Sequence, residues 1–424
     1  MSKHLTKFDT LTEYNNEKYF LDFPNVSKVN GSVYYLPSMP TDYAILWKDA
    51  DGNALGITTC GTTASRPSTI QGSQVYSIEW GSCNSVTTLA TEIFYQSKIS
   101  TVSIPATVTT LGDRVYSHCE NITSATIPNT VTTIGIQTFI DCTGLTTVTL
   151  PNNMTEIPMS IFMRCSSLSS VTIPSTVTSI GDNSFQDCTS LTSINLPNGL
   201  TSIGNGAFLS TAITSFSIPA SVTTIGTNAL GSPACTTITV DSNNPSFESP
   251  SGSNCLFYKG GTTIIRGCKG SVIPSNAGGF NTSAFAYSGI TSIGIEGSGA
   301  NLEIPSRFTS IPQYCFRYNK SLTTVTLPEG ITTILGNAFE NCWALETITI
   351  PSTVTTINSG MLTNYGTSAL QSFTCLATTP PTLNGNLFYG NNNFTIYVPA
   401  ASVSAYKAAN WWKDHKNRIQ AIPA

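Results

Sequence analysis

A unit of 23 residues recurs along most of this chain, plainest where LTTVTLPNNMTEIPMSIFMRCSS (Leu145 to Ser167) runs directly into LSSVTIPSTVTSIGDNSFQDCTS (Leu168 to Ser190). A unit that short cannot bury an apolar face by itself, so copies must stack and share one continuous core. The chain is therefore expected to form a solenoid whose work lies on an extended surface. Counted from Leu145 as position 1, an Ile-Pro or Leu-Pro pair fills positions 6 and 7: Ile104-Pro105, Ile127-Pro128, Leu150-Pro151, Ile173-Pro174, Leu196-Pro197, Ile218-Pro219, Ile304-Pro305, Leu327-Pro328 and Ile350-Pro351. Position 10 (Val108, Val131, Met154, Val177, Leu200, Val222) and position 13 (Leu111, Ile134, Ile157, Ile180, Ile203, Ile225) keep the same step and predict interior ladders.

Inside one unit, apolar residues at positions 4 and 6 alternate with Ser or Thr at 3 and 5, the period of a half-buried strand. Val148 and Leu150 should point inward, Thr147 and Thr149 outward. Proline at position 7 has no N–H for a ladder and ends that strand. Glycine at position 14 (Gly112, Gly135, Gly181, Gly204, Gly226) predicts a turn that other residues would resist. The Phe and Cys that follow, as in Phe185 and Cys188 or Phe339 and Cys342, predict one short helical or 3₁₀ turn. Stacked at about 4.8 Å, about a dozen coils would rise on the order of 55 to 60 Å and give an elongated, curved molecule.

The pattern L-xx-V-x-I-P-xx-V-xx-I-G-xx-A-F-xx-C closely resembles the BspA-like leucine-rich repeats, abundant in surface proteins of gut and oral Bacteroidetes, over roughly residues 75 to 424. The resemblance implies a right-handed leucine-rich-repeat solenoid, a β-rich α/β superhelix of about 23 residues per coil, with a small α+β module at its N-terminus. Val240-Asp241, Asn244-Pro245, Phe247 and Leu256-Phe257-Tyr258 are similar to that family's hairpin insertion, which places one near 241–270. Ile396 to Trp412 is similar to its end cap. Departures at Cys255, at Met361-Leu362 and at Glu296 to Asn301 bear on local loop shape. The expected domains are an N-terminal module over 1–72, the solenoid over 73–393 and a C-terminal cap over 394–424.

The N-terminal module does not follow the repeat. Thr10 and Glu13 make a capping-box pattern for a helix over Leu11 to Tyr19. Asn30-Gly31, between Asn25 to Val29 and Ser32 to Leu36, predicts a hairpin, and Asp51-Gly52, between Tyr43 to Lys48 and Ala54 to Thr58, a second. Such a module would cover the first coil's open edge or serve for attachment. FDTLTEYNNEKYF and PNVSKVNGSVYYLP resemble N-terminal modules on virion proteins of phages that infect Bacteroidales. Charged residues make up only 10% and the net charge is −4, so the basic field that nucleic acid needs is missing. No apolar run reaches the roughly 18 residues of a membrane span, and no signal peptide is visible at the start. The expected location is a virion or the extracellular surface of a cell.

Of the 12 cysteines, Cys119, Cys142, Cys165 and Cys188 recur at the repeat period and are expected as reduced, inward, small apolar fillers. Stacked parallel Cβ vectors suit disulfides poorly. Neither C-x-x-C pairs nor a histidine cluster supplies zinc spacing, so no metal and no cofactor are expected. The three histidines are His4, His118 and His415, and the G-x-S-x-G, G-x-x-x-x-G-K and H-E-x-x-H motifs do not occur. His118 precedes Cys119, yet adjacent residues of a helical turn do not face each other, so a nucleophilic dyad is not expected. Asp49-Ala50-Asp51-Gly52-Asn53 looks like half a calcium loop without its distal Glu and reads as a hairpin turn.

What remains is surface. Thr147, Thr149, Ser170, Thr172, Ser193, Asn195, Thr324, Thr326, Thr347 and Thr349 fall at positions 3 and 5 and would form a neutral polar face for a host-surface glycan or protein. Threonine also suits strands simply by its β-branched shape. Tyr397, Tyr406, Trp411 and Trp412 crowd the last coil, either as a cap over the final apolar layer or as binding anchors; Trp411 and Trp412 cannot both point the same way. The sequence thus reads as a non-catalytic adhesion or recognition protein. A phage virion fibre or decoration protein comes first, with self-association or virion docking through the N-terminal module. A bacterial cell-surface adhesin and a purely structural virion component are the alternatives.

Overall fold

The computed structural model describes residues 43–70, 74–366, 368–391 and 393–424, with the backbone of short strands between 13 and 34. The described residues make a parallel β-solenoid of about 15 turns with about 23 residues per coil. Two compact units, Met1–Pro197 and Asn198–Ala424, divide it.

The first unit begins with antiparallel strands. Glu13–Tyr14 pairs with Glu17–Lys18, so the helix expected over Leu11 to Tyr19 does not form; the rest of that stretch lies outside the described residues. Asn15-Asn16 is itself a turn-forming pair, and it competes with the capping-box pattern. Val26–Val29 pairs with Ser32–Tyr34, Val29 opposite Ser32. Tyr43–Lys48 lies between Ala54–Thr59 and Ser77–Trp80. The first strand of the parallel ladder, Thr63–Ala64, precedes residue 72, and the last strand of this antiparallel sheet follows it.

The coils then lay down two lanes of short parallel strands, the first interrupted at residues 191–197. In the first, Thr147–Thr149 pairs with Ser124–Thr126 on one side and Ser170–Val171 on the other, each residue opposite its equivalent one repeat away. In the second, Thr63–Ala64, Thr88–Leu89, Thr110–Leu111 and Thr133–Ile134 stack in sequence. Alternation buries Val148, Leu150 and Ile157. Behind the lanes runs a ladder of rings: Trp47, Phe94, Tyr116, Phe139, Phe162 and Phe185, with successive centroids 5.1 to 5.8 Å apart. Trp47, from the antiparallel sheet, heads this ladder and donates to Thr58 Oγ1 at 2.9 Å.

The segment around Phe and Cys differs from the helical turn read from the sequence. Gln137 and Asp141, positions 16 and 20, are left-handed at φ 57° and 59°, as are Arg114 and His118, Ser160 and Arg164, and Asn183 and Asp187. Alternate N–H groups therefore leave the coil: Gln137, Phe139 and Asp141 donate to the carbonyls of Met159, Ile161 and Met163, while Ile140 and Cys142 donate within the turn. A regular right-handed turn would not aim alternate N–H groups at the next coil. Left-handed backbone costs a non-glycine residue about 1 kcal/mol, which the added bonds between coils offset.

Glycine at position 14 also has another reason than the one expected. Gly112, Gly135 and Gly181 are not left-handed; a Cβ on Gly135 would lie 2.5 Å from the Asp113 nitrogen, and on Gly112 2.7 Å from that of Thr91. The glycine lets one coil's backbone press against the one before it.

The ladder cysteines do more than fill space. The Cys119 thiol donates to the Phe94 carbonyl at 2.9 Å, Cys142 to Tyr116 at 3.0 Å, Cys165 to Phe139 at 3.0 Å and Cys188 to Phe162 at 3.1 Å. In the second unit Cys342 does the same to Phe316 at 3.3 Å, and Asn319 replaces the thiol, donating to the Phe285 carbonyl at 2.8 Å. The position selects a small donor that satisfies a buried carbonyl.

The second unit opens with parallel strands Ser215–Ile218 and Thr237–Val240. Phe247–Glu248, Leu256–Tyr258 and Thr263–Arg266 then form an antiparallel meander joined in parallel to Gly279–Phe280, where the hairpin insertion was read. Its main sheet has seven strands, running in space from Leu302–Ile304 through Ser292–Ile295, Thr324–Thr326, Thr347–Ile350, Ser372–Cys375 and Thr395–Val398 to Ile419–Ala421. A helix, Val403–Ala408, and a 3₁₀ segment, Trp412–Arg418, lie between its last two strands.

Candidate functional site

Six of the candidate surface residues lie in the first unit and four in the second. Thr147, Thr149, Ser170 and Thr172 are exposed on adjacent coils, with Thr147 opposite Ser170. Ser193 and Asn195 are exposed too, but residues 191–197 form no strand; Asn195 stands where Thr126, Thr149 and Thr172 stand in the coils before it, and asparagine is a poor strand former. In the second unit Thr324 faces Thr347 and Thr326 faces Thr349; the first of each pair is exposed and the second half-buried.

Hydrogen bonding separates these hydroxyls from other threonines. The Thr146 hydroxyl donates to the Thr123 carbonyl at 2.8 Å, Thr132 to Thr109 at 3.3 Å and Thr332 to Thr309 at 3.1 Å, each reaching its equivalent one coil back. These threonines hold the stack. None of the ten candidate side chains makes such a bond among the described residues. Eight of the ten are exposed, and Thr347 and Thr349 are half-buried.

The aromatic cap divides in two. Tyr406 is buried and donates to the Ala377 carbonyl at 2.8 Å, and Trp412 is buried and donates to that of Pro381 at 2.9 Å. Neither can meet a ligand without opening the cap. Trp411, left-handed at φ 62°, is 41% exposed, and Tyr397 is half-buried in the strand Thr395–Val398.

A second aromatic feature escaped the sequence reading. Tyr287 and Tyr318 stack at 4.7 Å, and Trp343 meets Tyr318 edge-on at 6.3 Å. The Arg317 guanidinium lies 4.8 Å from the Tyr318 ring and the Lys320 ammonium 4.9 Å from Trp343. On neighbouring coils Tyr365 and Tyr389 are 70% and 60% exposed. The available signal was tyrosine at position 20, which carries Gln96, His118 or Asp141 in other coils.

The chemistry around the other candidates is structural. His118 points outward, its Nε2 3.5 Å from Asp141, while the Cys119 thiol is turned inward and pushed up to about 12 by burial. The two do not pair. Asp49 accepts the N–H groups of Asp51 and Asn53 at 3.0 and 2.8 Å, the bonding of a turn. Among the described residues no three His, Cys, Asp or Glu side chains come together as a metal site, and no helix is long and apolar enough to cross a membrane.

The BspA type leucine rich repeat region matches this chain in six copies, over residues 71–169, 155–259 and 281–409. Among solved structures, a leucine rich cell surface protein from Faecalibacterium prausnitzii is similar at 29% identity and a TM-score of 0.53, covering 81% of this chain and 94% of its own. A leucine-rich repeat protein from Bacteroides ovatus is similar at 18% identity and a TM-score of 0.44, covering 98% of this chain and 94% of its own. No curated protein matches. The repeat, its stacked register and the match of the repeat family over most of the chain agree: the chain belongs to the BspA-type leucine-rich repeat family.

Proposed function

We propose that this protein is a non-catalytic recognition protein that holds a host-surface glycan or protein through its outward strand rows. The observation that carries this reading is a division among hydroxyls: Thr146, Ser169 and Thr323 at position 2 bond the neighbouring coil, whereas none of the ten candidate side chains at positions 3 and 5 makes such a bond among the described residues. A row of unspent donors and acceptors at the strand spacing suits a repetitive, uncharged partner. Each bond is worth about 1 kcal/mol net, so affinity comes from several coils acting together or from several copies.

Such a surface serves when displayed, on a cell or on a virion. Similarity to a cell surface protein of F. prausnitzii supports the cell; the likeness of the N-terminal residues to phage modules motivates the virion, with that module as its attachment or self-association device. The test is glycan-array and host-protein binding by the wild type, Thr147→Arg and Thr324→Arg, since the two substitutions address the two units separately. A loss of about tenfold or more, about 1.4 kcal/mol, in either folded variant supports the strand rows. Unchanged binding in both moves the site elsewhere, and a wild type that binds nothing favours a purely structural role.

A further inference from the structure

Cys60 and Cys83 stand apart from the ladder cysteines. Cys60 directly follows the strand Ala54–Thr59 and is exposed; Cys83 comes shortly after Ser77–Trp80 and is half-buried. The chain around Cys83 folds onto the chain around Cys60. The Cys83 sulfur lies 3.1 Å from the Ser85 hydroxyl, which donates to the Gly61 carbonyl at 3.2 Å. A little further on, the Thr87 N–H donates to the Thr62 carbonyl at 2.8 Å, and the two segments enter the first parallel ladder side by side. The Cys83 and Cys60 side chains hydrogen-bond each other.

We propose that Cys60 and Cys83 are a covalent modification site, forming a reversible disulfide that ties the end of the N-terminal sheet to the start of the first coil. Ladder cysteines lie one above another with every thiol bonded to a backbone carbonyl, but these two thiols come together from separate strand ends at the surface, where a bridge can close.

The chemistry favours Cys83 as the attacking group. Burial raises its thiol, but hydrogen bonds from Cys60, from Ser85 and from the Gly61 backbone outweigh that and bring it to about 7. A thiolate is the nucleophile in disulfide exchange. With a small-molecule disulfide such as glutathione disulfide as oxidant, the Cys83 thiolate attacks one sulfur. The oxidant's S–S bond breaks, and one glutathione thiolate leaves and takes a proton. Cys60, giving up its own proton, then attacks the Cys83 sulfur and expels the second glutathione. Two protein thiols are oxidised and one disulfide is reduced to two thiols. The ladder thiols do not compete: Cys142 and Cys165 are buried and pushed well above the ordinary thiol range by that burial. Cys235 and Cys268, another neighbouring pair, are both buried, away from an oxidant of tripeptide size.

The experiment treats the full chain with glutathione disulfide at neutral pH, blocks remaining thiols with iodoacetamide and maps the products by proteolysis and mass spectrometry. The expected product is lighter by two hydrogen atoms, carries a Cys60–Cys83 cross-linked peptide and returns to the starting mass with dithiothreitol. Cys60→Ser should keep a glutathione on Cys83, and Cys83→Ser should slow reaction at Cys60 by about tenfold or more. A glutathione that persists on wild-type Cys83, or a bridge that forms first between other cysteines, overturns the proposal.

Discussion

Arg164 closes on Asp141 with two parallel hydrogen bonds, Nε to Oδ1 at 2.5 Å and Nη2 to Oδ2 at 2.6 Å, across one coil of the first unit. Both residues occupy position 20 and both are left-handed, at φ 61° and 59°. His118, in the coil on the other side, approaches the same carboxylate at 3.5 Å. The hydrogen-bonded Arg164 holds the Asp141 carboxyl below the usual carboxylate range against the opposing effect of burial, and the charges of Arg164 and His118 add to the pull. Bidentate pairing of this kind fixes both side chains.

The sign of the pH effect follows. A carboxyl whose pKa is depressed on folding adds stability that is complete above its unfolded value, about 4, and is lost as pH falls through the lower folded value. We expect the wild type to lose stability on acidification below about pH 4 more steeply than Asp141→Asn. Urea midpoints at a series of pH values give the comparison, and parallel curves for the two proteins would remove Asp141 from the account.

Two glycines should respond very differently to one added methyl group. Gly135→Ala forces a Cβ to 2.5 Å from the Asp113 nitrogen, whereas a Cβ on Gly279 meets nothing within 4 Å. We expect Gly135→Ala to cost about 2 to 3 kcal/mol and Gly279→Ala to change stability by less than about 0.5 kcal/mol. Chemical denaturation of both variants decides this; equal effects would mean that close stacking is not why position 14 is glycine.

The adjacent tryptophans of the cap provide a third comparison. Trp412 is fully buried, 4.9 Å from the Tyr406 ring and bonded to Pro381, while Trp411 faces solvent. Trp412→Ala should cost about 3 to 5 kcal/mol, and Trp411→Ala less than about 0.5 kcal/mol. Thermal melting reads both, and a costly Trp411→Ala would show the exposed ring to be part of the cap.

Much of this was readable from residues alone, because a repeat multiplies weak local signals. Isoleucine before proline, alternating with threonine, announces a strand once; recurring through the chain at one period, it also announces the register in which strands stack. The hairpin around Asp51-Gly52 was equally legible, since its turn residues and flanking β-formers act over a few positions. The helix over Leu11 to Tyr19 was misread for the same reason: a local capping pattern and a local turn pair competed, and the pairing of Glu13–Tyr14 with Glu17–Lys18 shows that the turn prevailed.

The amino-acid sequence determined that the chain stacks, which side chains go inside and that its exterior is polar with little charge, all consequences of periodicity and burial. Only the tertiary structure decided what one coil does to the next. It made the Cys142 thiol a donor to Tyr116, turned Gln137 and Asp141 left-handed so that alternate N–H groups cross between coils, and excluded a side chain at Gly135 by close approach. It also brought Cys60 to Cys83, a pair that no spacing along the chain reveals. Period and composition are properties of one strand of residues, whereas hydrogen bonds and contacts between coils exist only after the stack has closed.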